Sequence, residues 1–392
     1  MAGAPGECDL AVVGGGILGL AVARELSARR PDASLTVLER AAEVGTLQTA
    51  HNSGVIHAGI YYAPGSLKAR LCVSGARELY GYCEQRGIPH ERCGKLLVAR
   101  SDAELAGLDE LERRGRANGV AGLRRLAAGE LRELEPHVRG VAGLYSPDTG
   151  VVDFQAVARS LAADLEARGV RIATSCGVES VTQRPGRIAL GHSQGETRAG
   201  FAVFCAGAAS DRLAVAAGAS PEPRIVPFRG SYLYLRPDRS HLVKGLIYPV
   251  PDPALPFLGV HLSRHVDGRV SLGPSALLWP RGAGDLLWPG TVRMGRRWWR
   301  VGVNELRWSL SRRRFAAAAA EYVPELRPRD FRGGFAGVRA QAVGRDGRLL
   351  DDFVVSQSER ALHVRNAPSP AATSSLALAR LIGDRADSLA GA

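Results

Sequence analysis

The first forty residues constrain the fold more tightly than any other stretch. Residues 9–14, DLAVVG, are a short apolar, β-branched run and read as a buried strand. Gly14, Gly16 and Gly19 follow in G-x-G-x-x-G spacing. LAVARELSARR (20–30) then shows helical periodicity until Pro31 and Asp32 break it. SLTVLE (34–39) reads as a second strand and ends on Glu39, about 20 residues beyond Gly19. Glycines let the backbone approach a pyrophosphate, the helix N-terminus offers N–H groups and a positive dipole, and the terminal carboxylate accepts ribose hydroxyls. The glycine spacing alone is a weak signal. With strand, helix and acid in order it specifies a dinucleotide-binding unit, and Gly14, Gly16, Ile17, Gly19, Glu39 and Arg40 are its candidate cofactor contacts.

This unit does not distinguish a flavin from a nicotinamide. FAVFCAGAAS (201–210) is an apolar strand that runs into Ala206 and Gly207 after a hairpin-like stretch at 186–198. Two-part flavin folds bring such a later strand–glycine turn back against the same cofactor, so FAD is favoured. Val178, ahead of the hairpin, is a further candidate contact. VDFQAVARSLAADLEARG (152–169) is the helix that returns the chain to this unit, with Asp153 as its N-cap.

HNSGVIHAGIYYAPGSLKARLC (51–72) packs His51, Asn52, Ser53, His57, Tyr61, Tyr62 and Lys68 between glycines, which marks a loop close to a ligand rather than a core. A helix follows at 74–86, then a strand containing Cys93-Gly94-Lys95, then a charged helical stretch at 101–137. FRGSYLYLR (228–236), HLVKGLIYPV (241–250), PFLGVHLSR (256–264) and GRVSLGP (268–274) read as an antiparallel sheet, the floor and wall of a substrate pocket. FAGVRAQAVGRDGRLLDDF suggests a hairpin about Asp346-Gly347. Asn366 to Ser375 form a Pro/Ser-rich turn into a closing helix, so Asn366 and Ser369 face the anionic end of a cofactor.

At 392 residues the chain suits two intimately joined domains, and 45% hydrophobic with 23% charged residues is ordinary globular composition. No run reaches the roughly 18–20 apolar residues of a membrane span. Residues 1–7 lack a charged n-region and an apolar core, so a bacterial-type cytoplasmic protein is the expectation. The six cysteines include no C-x-x-C and no zinc-ligand spacing, so no metal is expected and the thiols read as reduced and mostly buried. Of 51 Lys plus Arg only Lys68, Lys95 and Lys244 are lysine. A chain that replaces lysine so freely retains it where a planar guanidinium would not serve.

The net charge of +12 would suit nucleic acid or an acidic membrane surface. Residues 279–314 hold all five tryptophans, and nine arginines against Asp285 and Glu305 give that segment +7. Charge concentrated in one Trp-rich segment, with no nucleic-acid motif, sets a flavin-bearing nucleic-acid binder aside. Tryptophan with arginine favours a membrane–water interface, so 279–314 is expected to dock peripherally on the inner face of the membrane; the alternatives are tryptophans packed on the fold beneath a solvated arginine face, or a subunit interface.

HNSGVIHAGIYY, SLKARLC, CGKLLVA, RIVPFRG, LVKGLIYPVPD, FLGVH, AGVRAQ and HVRNAPSPAATSS together resemble the L-2-hydroxyglutarate dehydrogenase/oxidase family, within the D-amino-acid-oxidase-like FAD superfamily. The resemblance spans about residues 9–385 and is weakest at 279–320. It implies an α/β fold in which a Rossmann-like FAD domain (1–86, 146–220, 331–392) interleaves with a substrate domain of antiparallel sheet and helices (87–145, 221–330). It implies oxidation of L-2-hydroxyglutarate to 2-oxoglutarate, with hydride passing from C2 to flavin N5 and electrons going on to quinone or oxygen. The rival readings are a related FAD-dependent amino-acid or glycerol 3-phosphate dehydrogenase or oxidase. Some superfamily members attach FAD covalently through a histidine of the first loop; here His51 is expected to touch the flavin ring without a covalent bond.

The chemistry needs a base for the hydroxyl proton and cations for the carboxylates. His57 and His261, in glycine-flanked motifs, are the candidate bases. Arg339 occupies a place like the carboxylate-binding arginine of superfamily relatives, with Arg229 as a second fork. Tyr61, Tyr62, Lys68, Lys95 and Lys244 are candidates for the second carboxylate. Lys244, expected on a strand, is also a candidate for a water-bridged contact with flavin N5.

Overall fold

A computed structural model describes residues 3–253, 255 and 257–390. Pro256, at the head of the strand expected over 256–264, lies outside the described residues. The fold is mixed α/β. Strand Glu7–Val13 pairs in parallel with Leu35–Leu38 on one side and Gly195–Phe204 on the other. Helix Ile17–Arg29 crosses between the first two strands. Leu35–Leu38 continues to Arg171–Ala173, and the far end of Gly195–Phe204 pairs in parallel with Ala361–Asn366. The expected hairpin is Arg187–His192 with Gly195–Phe204.

Burial sets this register. Val12, Leu20, Val37, Val157, Leu161 and Leu378 are fully buried in one core, joining the sheet to helices Ile17–Arg29, Phe154–Ala167 and Ser375–Ala390. Gly19 is forced by the helix–strand approach, since a Cβ there would stand 1.9 Å from the Gly14 carbonyl oxygen. Asp153 caps its helix by accepting the Gln155 N–H at 2.8 Å. Four of the six cysteines are buried, all six are free thiols, and Cys93 and Cys205 are part-buried.

A second large sheet runs Phe331–Arg332, Leu233–Leu235, Val270–Gly273, His261–Arg264, Leu246–Pro249, Lys95–Ala99, Ala142–Ser146, Arg124–Ala127. It is not purely antiparallel as expected: Leu246–Pro249 lies parallel to Lys95–Ala99. The expected strand 228–236 is two strands. Arg224–Ser231 joins a third sheet with Leu277–Leu278 and Ala336–Val343, and the chain breaks at Tyr232 before Leu233–Leu235 enters the second. The expected strand 241–250 begins late, because Pro237–Leu242 winds as a 3-10 helix and leaves only Leu246–Pro249 extended. The charged stretch 101–137 is two helices, Leu105–Ala117 and Ala128–Leu134, with strand Arg124–Ala127 between them.

The Trp/Arg segment forms a long helix, Pro289–Leu310, broken by non-helical dihedrals at Trp298. Trp298 packs toward Val226, Phe228, Met294 and Val343, and Trp308 toward Phe315. Trp288 is part-buried between the guanidinium groups of Arg224 and Arg345. Trp279 and Trp299 remain exposed.

Candidate active site

One cavity of about 1850 Å³ runs between the sheets. It is larger than the few hundred to about 1,000 Å³ of ordinary small-ligand pockets, so it has room for a dinucleotide together with a small substrate. The glycine turn forms one end. Gly14, Gly16, Ile17 and Gly19 line it, and no side chain of the N-cap residue Gly16 closes the helix. Gly14 has φ +113°, and a Cβ there would lie 2.4 Å from the Cys205 carbonyl, so this backbone excludes any larger residue. Ile17 donates its N–H to Thr49 Oγ1 at 3.0 Å. Glu39 is buried and accepts the Gly15 N–H at 2.5 Å and the Ala41 N–H at 2.7 Å. Its carboxylate is thereby held at the strand end with acceptor capacity left for ribose hydroxyls.

Arg40, Val178, Ala206 and Gly207 line the same end, and His51, Asn52, Ser53, Asn366 and Ser369 line the middle. Two of these spend their side chains on the protein. Asn52 donates to the Thr49 carbonyl at 2.5 Å and accepts the Gly54 N–H at 2.8 Å. Asn366 is fully buried; it donates to the Leu350 and Asp352 carbonyls and accepts the Ala342 N–H. Their polar groups therefore shape the wall. His51 Nδ1 bonds the Leu47 carbonyl at 2.9 Å. The cradle, the glycine-opened helix start and the fixed acid fit FAD.

The other end gathers histidines and cations. His57, His261, Arg339, Tyr61, Tyr62 and Lys68 line it. His57 is held by its backbone: its N–H donates to Thr373 Oγ1 at 3.1 Å, and its carbonyl accepts from Cys72 Sγ at 3.1 Å. His57 Nε2 lies 3.3 Å from Ser369 Oγ. Burial holds its pKa well below the usual imidazole value, with Lys95, His261 and Lys68 adding to the effect. His261 stacks on Tyr248 at 3.8 Å between centroids, and its Nδ1 bonds the Gly259 carbonyl at 2.9 Å. That bond fixes the tautomer and leaves Nε2 as the acceptor. Burial pushes His261 down to about 3, against the Gly259 bond and helped by Lys95 and Arg339. Both imidazoles are neutral at pH 7.

Arg339 makes no ion pair among the described residues, although the Glu305 carboxyl feels its charge; it faces the Tyr232 hydroxyl and the Phe257 ring. Lys68 is buried, with Nζ 2.7 Å from the exposed Asp351 carboxylate and over the Tyr62 ring. Tyr61 Oη is buried with no hydrogen-bond partner.

Three candidates lie elsewhere. Arg229 is exposed and stacks over Trp279, because the neighbouring Gly230 occupies the strand face that meets Arg339. Lys244 is exposed in a bend rather than on a strand, its backbone N–H held by Glu135 Oε2 at 2.9 Å. Lys95 is 1% exposed and sits behind the cavity wall, with Nζ 3.5 Å from His57 Nδ1. Tyr232, Tyr248, Phe257, Arg297 and Trp298 line the cavity without having been singled out from the sequence. The tyrosines lie in segments read as pocket wall but carry no local signal of their own, and nothing in the helical periodicity of 289–310 marks the break that brings Trp298 inward.

The model of the FAD dependent oxidoreductase family matches residues 9–385. The chain belongs to that family. Among its relatives, it is 43% identical to the human L-2-hydroxyglutarate dehydrogenase, mitochondrial, over 96% of this chain and 88% of that one. It is 44% identical to the protein of that name in Nematostella vectensis, over 96% and 90%. It is 40% identical to the L-2-hydroxyglutarate dehydrogenase of Indibacter alkaliphilus, over 95% and 97%. Among solved structures of this fold, the FAD-bound L-alpha-glycerophosphate oxidase of Mycoplasma pneumoniae superposes with a TM-score of 0.81 at 23% identity, covering 97% of this chain and 95% of that one. The glycine oxidase of Geobacillus kaustophilus follows at 0.74 and 19%, covering 99% and 95%. The chain is thus an FAD-dependent oxidoreductase, and the glycine-lined end of its cavity offers the open backbone and buried acid that such a cofactor requires.

Proposed function

We propose that this oxidoreductase converts L-2-hydroxyglutarate to 2-oxoglutarate on FAD. The observation that carries the reading is that one cavity joins the flavin cradle to two neutral imidazoles and an arginine that makes no ion pair among the described residues. Bound FAD supplies the two-electron acceptor. Arg339 offers a planar fork to the carboxylate beside the reacting carbon. Lys68, Tyr61 and Tyr62 form the wall toward the second carboxylate. A neutral imidazole of His57 takes the hydroxyl proton, and His261 Nε2 orients the hydroxyl. A dianionic substrate favours the imidazolium electrostatically, so its arrival strengthens a base that burial alone makes weak.

The test is anaerobic mixing of yellow holoenzyme with L-2-hydroxyglutarate. The flavin absorption bleaches, while the D isomer, malate, glycine and glycerol 3-phosphate at equal concentration leave it largely oxidised. Absence of bleaching by the L isomer overturns the reading.

The reading extends to the acceptor. Electrons pass to a membrane quinone, with the enzyme docked peripherally on the inner face. What supports this is the second half of the broken helix. Trp299, Val303, Leu306 and Leu310 recur at helical spacing and are exposed, with Arg296, Arg300 and Arg307 exposed around them. An apolar stripe edged by arginine suits an anionic bilayer surface. Among the described residues no helix is long and apolar enough to cross a membrane.

A further inference from the structure

Lys95 is a buried amine with no anion beside it. It opens strand Lys95–Ala99 in the second sheet and is 1% exposed. Among the described residues no carboxylate pairs with it. Its Nζ lies 4.1 Å from the Tyr248 ring centroid and 5.2 Å from that of Tyr61. Both phenols stay protonated, since burial raises them. The nearby thiols stay protonated too: burial pushes Cys72 up to about 12 and Cys93 up to about 11. His57 and His261 also feel the Lys95 charge, His57 and Cys72 feel that of Lys68 as well, and none of these groups is an anion. Burial brings Lys95 itself down to about 7.

The polar atom that Lys95 reaches is His57 Nδ1, at 3.5 Å, and the other nitrogen of that ring faces Ser369 and the cavity. The two protonation states of Lys95 act oppositely on this ring. A charged ammonium only donates, so Nδ1 accepts and the ring proton sits on Nε2, where the substrate hydroxyl needs a lone pair. A neutral amine accepts Nδ1–H and frees the Nε2 lone pair toward the cavity.

We propose that Lys95 is a positioning residue that sets the tautomer of His57 and receives its Nδ1 proton during substrate oxidation. The proposal rests on the reading of the cavity as a 2-hydroxy acid site. The balance is closed. The substrate O–H breaks as Nε2–H forms, and Nδ1–H breaks as Nζ–H forms. The C2–H electron pair leaves as hydride to the FAD oxidant, and the lysine proton returns by the same path to water after product leaves. Arginine cannot take this part because it does not lose its proton near neutrality. In a chain with three lysines among 51 basic residues, this is a place where a guanidinium would not serve.

The test compares wild-type, Lys95→Met and Lys95→Arg holoenzymes, each first shown to be folded and yellow. In the wild type, flavin reduction quickens about tenfold per pH unit below pH ~7 and levels off above it. Lys95→Met reduces flavin about 10²-fold more slowly or worse, and the inflection near pH 7 disappears. Lys95→Arg, an obligate donor, is no faster than Lys95→Met at any pH. A structural cation would give the reverse order, so Lys95→Arg with wild-type rate and profile overturns the proposal. Nitrogen NMR of histidine-labelled holoenzyme supplies a readout apart from turnover. His57 Nδ1 changes from acceptor to N–H as pH rises through ~7 in the wild type and not in Lys95→Met. An unchanged tautomer in the wild type overturns the proposal as well. If no 2-hydroxy acid reduces the wild-type flavin, the substrate reading fails, while the tautomer titration still decides the Lys95–His57 coupling.

Discussion

Gly337 lies so close to His51 that a Cβ on it would stand 2.0 Å from the His51 carbonyl oxygen. The contact joins strand Ala336–Val343, which carries Arg339, to the loop that carries His57. Arg339 and His57, the proposed carboxylate clamp and base, are thus held together by backbone packing, although 282 residues separate them in sequence.

Gly337→Ala forces these two backbones apart, and neither yields as a flexible side chain would. The variant is expected to lose much of its flavin on purification and to reduce the remainder more slowly. The ratio of flavin to protein absorbance measures the first effect and anaerobic mixing the second. Full flavin content with the wild-type reduction rate would show that the contact does not position the site.

Arg339→Lys replaces a fork by a point charge. Its effect falls on KM for L-2-hydroxyglutarate, with a loss in kcat/KM equivalent to about 2–5 kcal/mol, the range for breaking a buried charged hydrogen bond. Steady-state kinetics of the fully flavinated variant checks it. An unchanged kcat/KM removes Arg339 from substrate binding.

The two imidazoles separate by function. His57→Ala is expected to slow flavin reduction by about 10²–10⁴-fold, with partial recovery at high pH. His261→Ala raises KM more than it lowers the reduction rate, because the His261 Nδ1 bond to Gly259 leaves an acceptor that orients without relaying. Reduction of His57→Ala flavin at the native rate would pass the base to His261 or to another group.

His261 also carries a pH signature. Its folded pKa is about 3, depressed chiefly by burial, against about 6.5 for a free imidazole. The unfolded chain therefore takes up the proton first as the pH falls. The stability this group contributes is present above pH ~6.5 and is lost progressively down to pH ~3. Between pH 7 and pH 5 the loss is about 2 kcal/mol from this one side chain. Urea unfolding of wild type and His261→Asn at both pH values isolates it. An equal drop in the two proteins would show that His261 is not held neutral by the fold.

The flavin end was legible from sequence because its chemistry is local. Gly14, Gly16, Gly19 and Glu39 fall within one strand–helix–strand unit, and each is constrained by its own neighbours. His57 was picked out because polar residues between glycines stand out from core, and Arg339 through the resemblance; both line the one cavity. Arg229 and Lys244 were misplaced by local geometry that periodicity does not carry. The chain breaks at Tyr232, and the 3-10 turn before Lys244 delays its strand. Lys95 was recognised as unusual but assigned to substrate. Its burial behind His57 follows from the parallel pairing of Lys95–Ala99 with Leu246–Pro249, which lie about 150 residues apart.

The exposed stripe on the second half of helix Pro289–Leu310 gives the last prediction. Trp298 lines the cavity and packs against Met294, so replacing it would confound docking with catalysis. Trp299 is 60% exposed and Leu310 79%, and with Val303 and Leu306 they follow one face for three turns. Burying one such side chain in an interface is worth on the order of 1.5–3 kcal/mol, and each nearby arginine adds about 1 kcal/mol on anionic lipid. The wild-type holoenzyme should therefore float with anionic vesicles at low salt, leave them as salt screens the arginines, and ignore neutral vesicles. Trp299→Ser with Leu306→Ser should abolish flotation. It should also slow reduction of a membrane-embedded quinone while leaving anaerobic flavin bleaching at the wild-type rate, since neither residue lines the cavity. Wild type that stays in solution with anionic vesicles at low salt ends the docking proposal. Turnover with oxygen that matches turnover with membranes would instead make oxygen the acceptor.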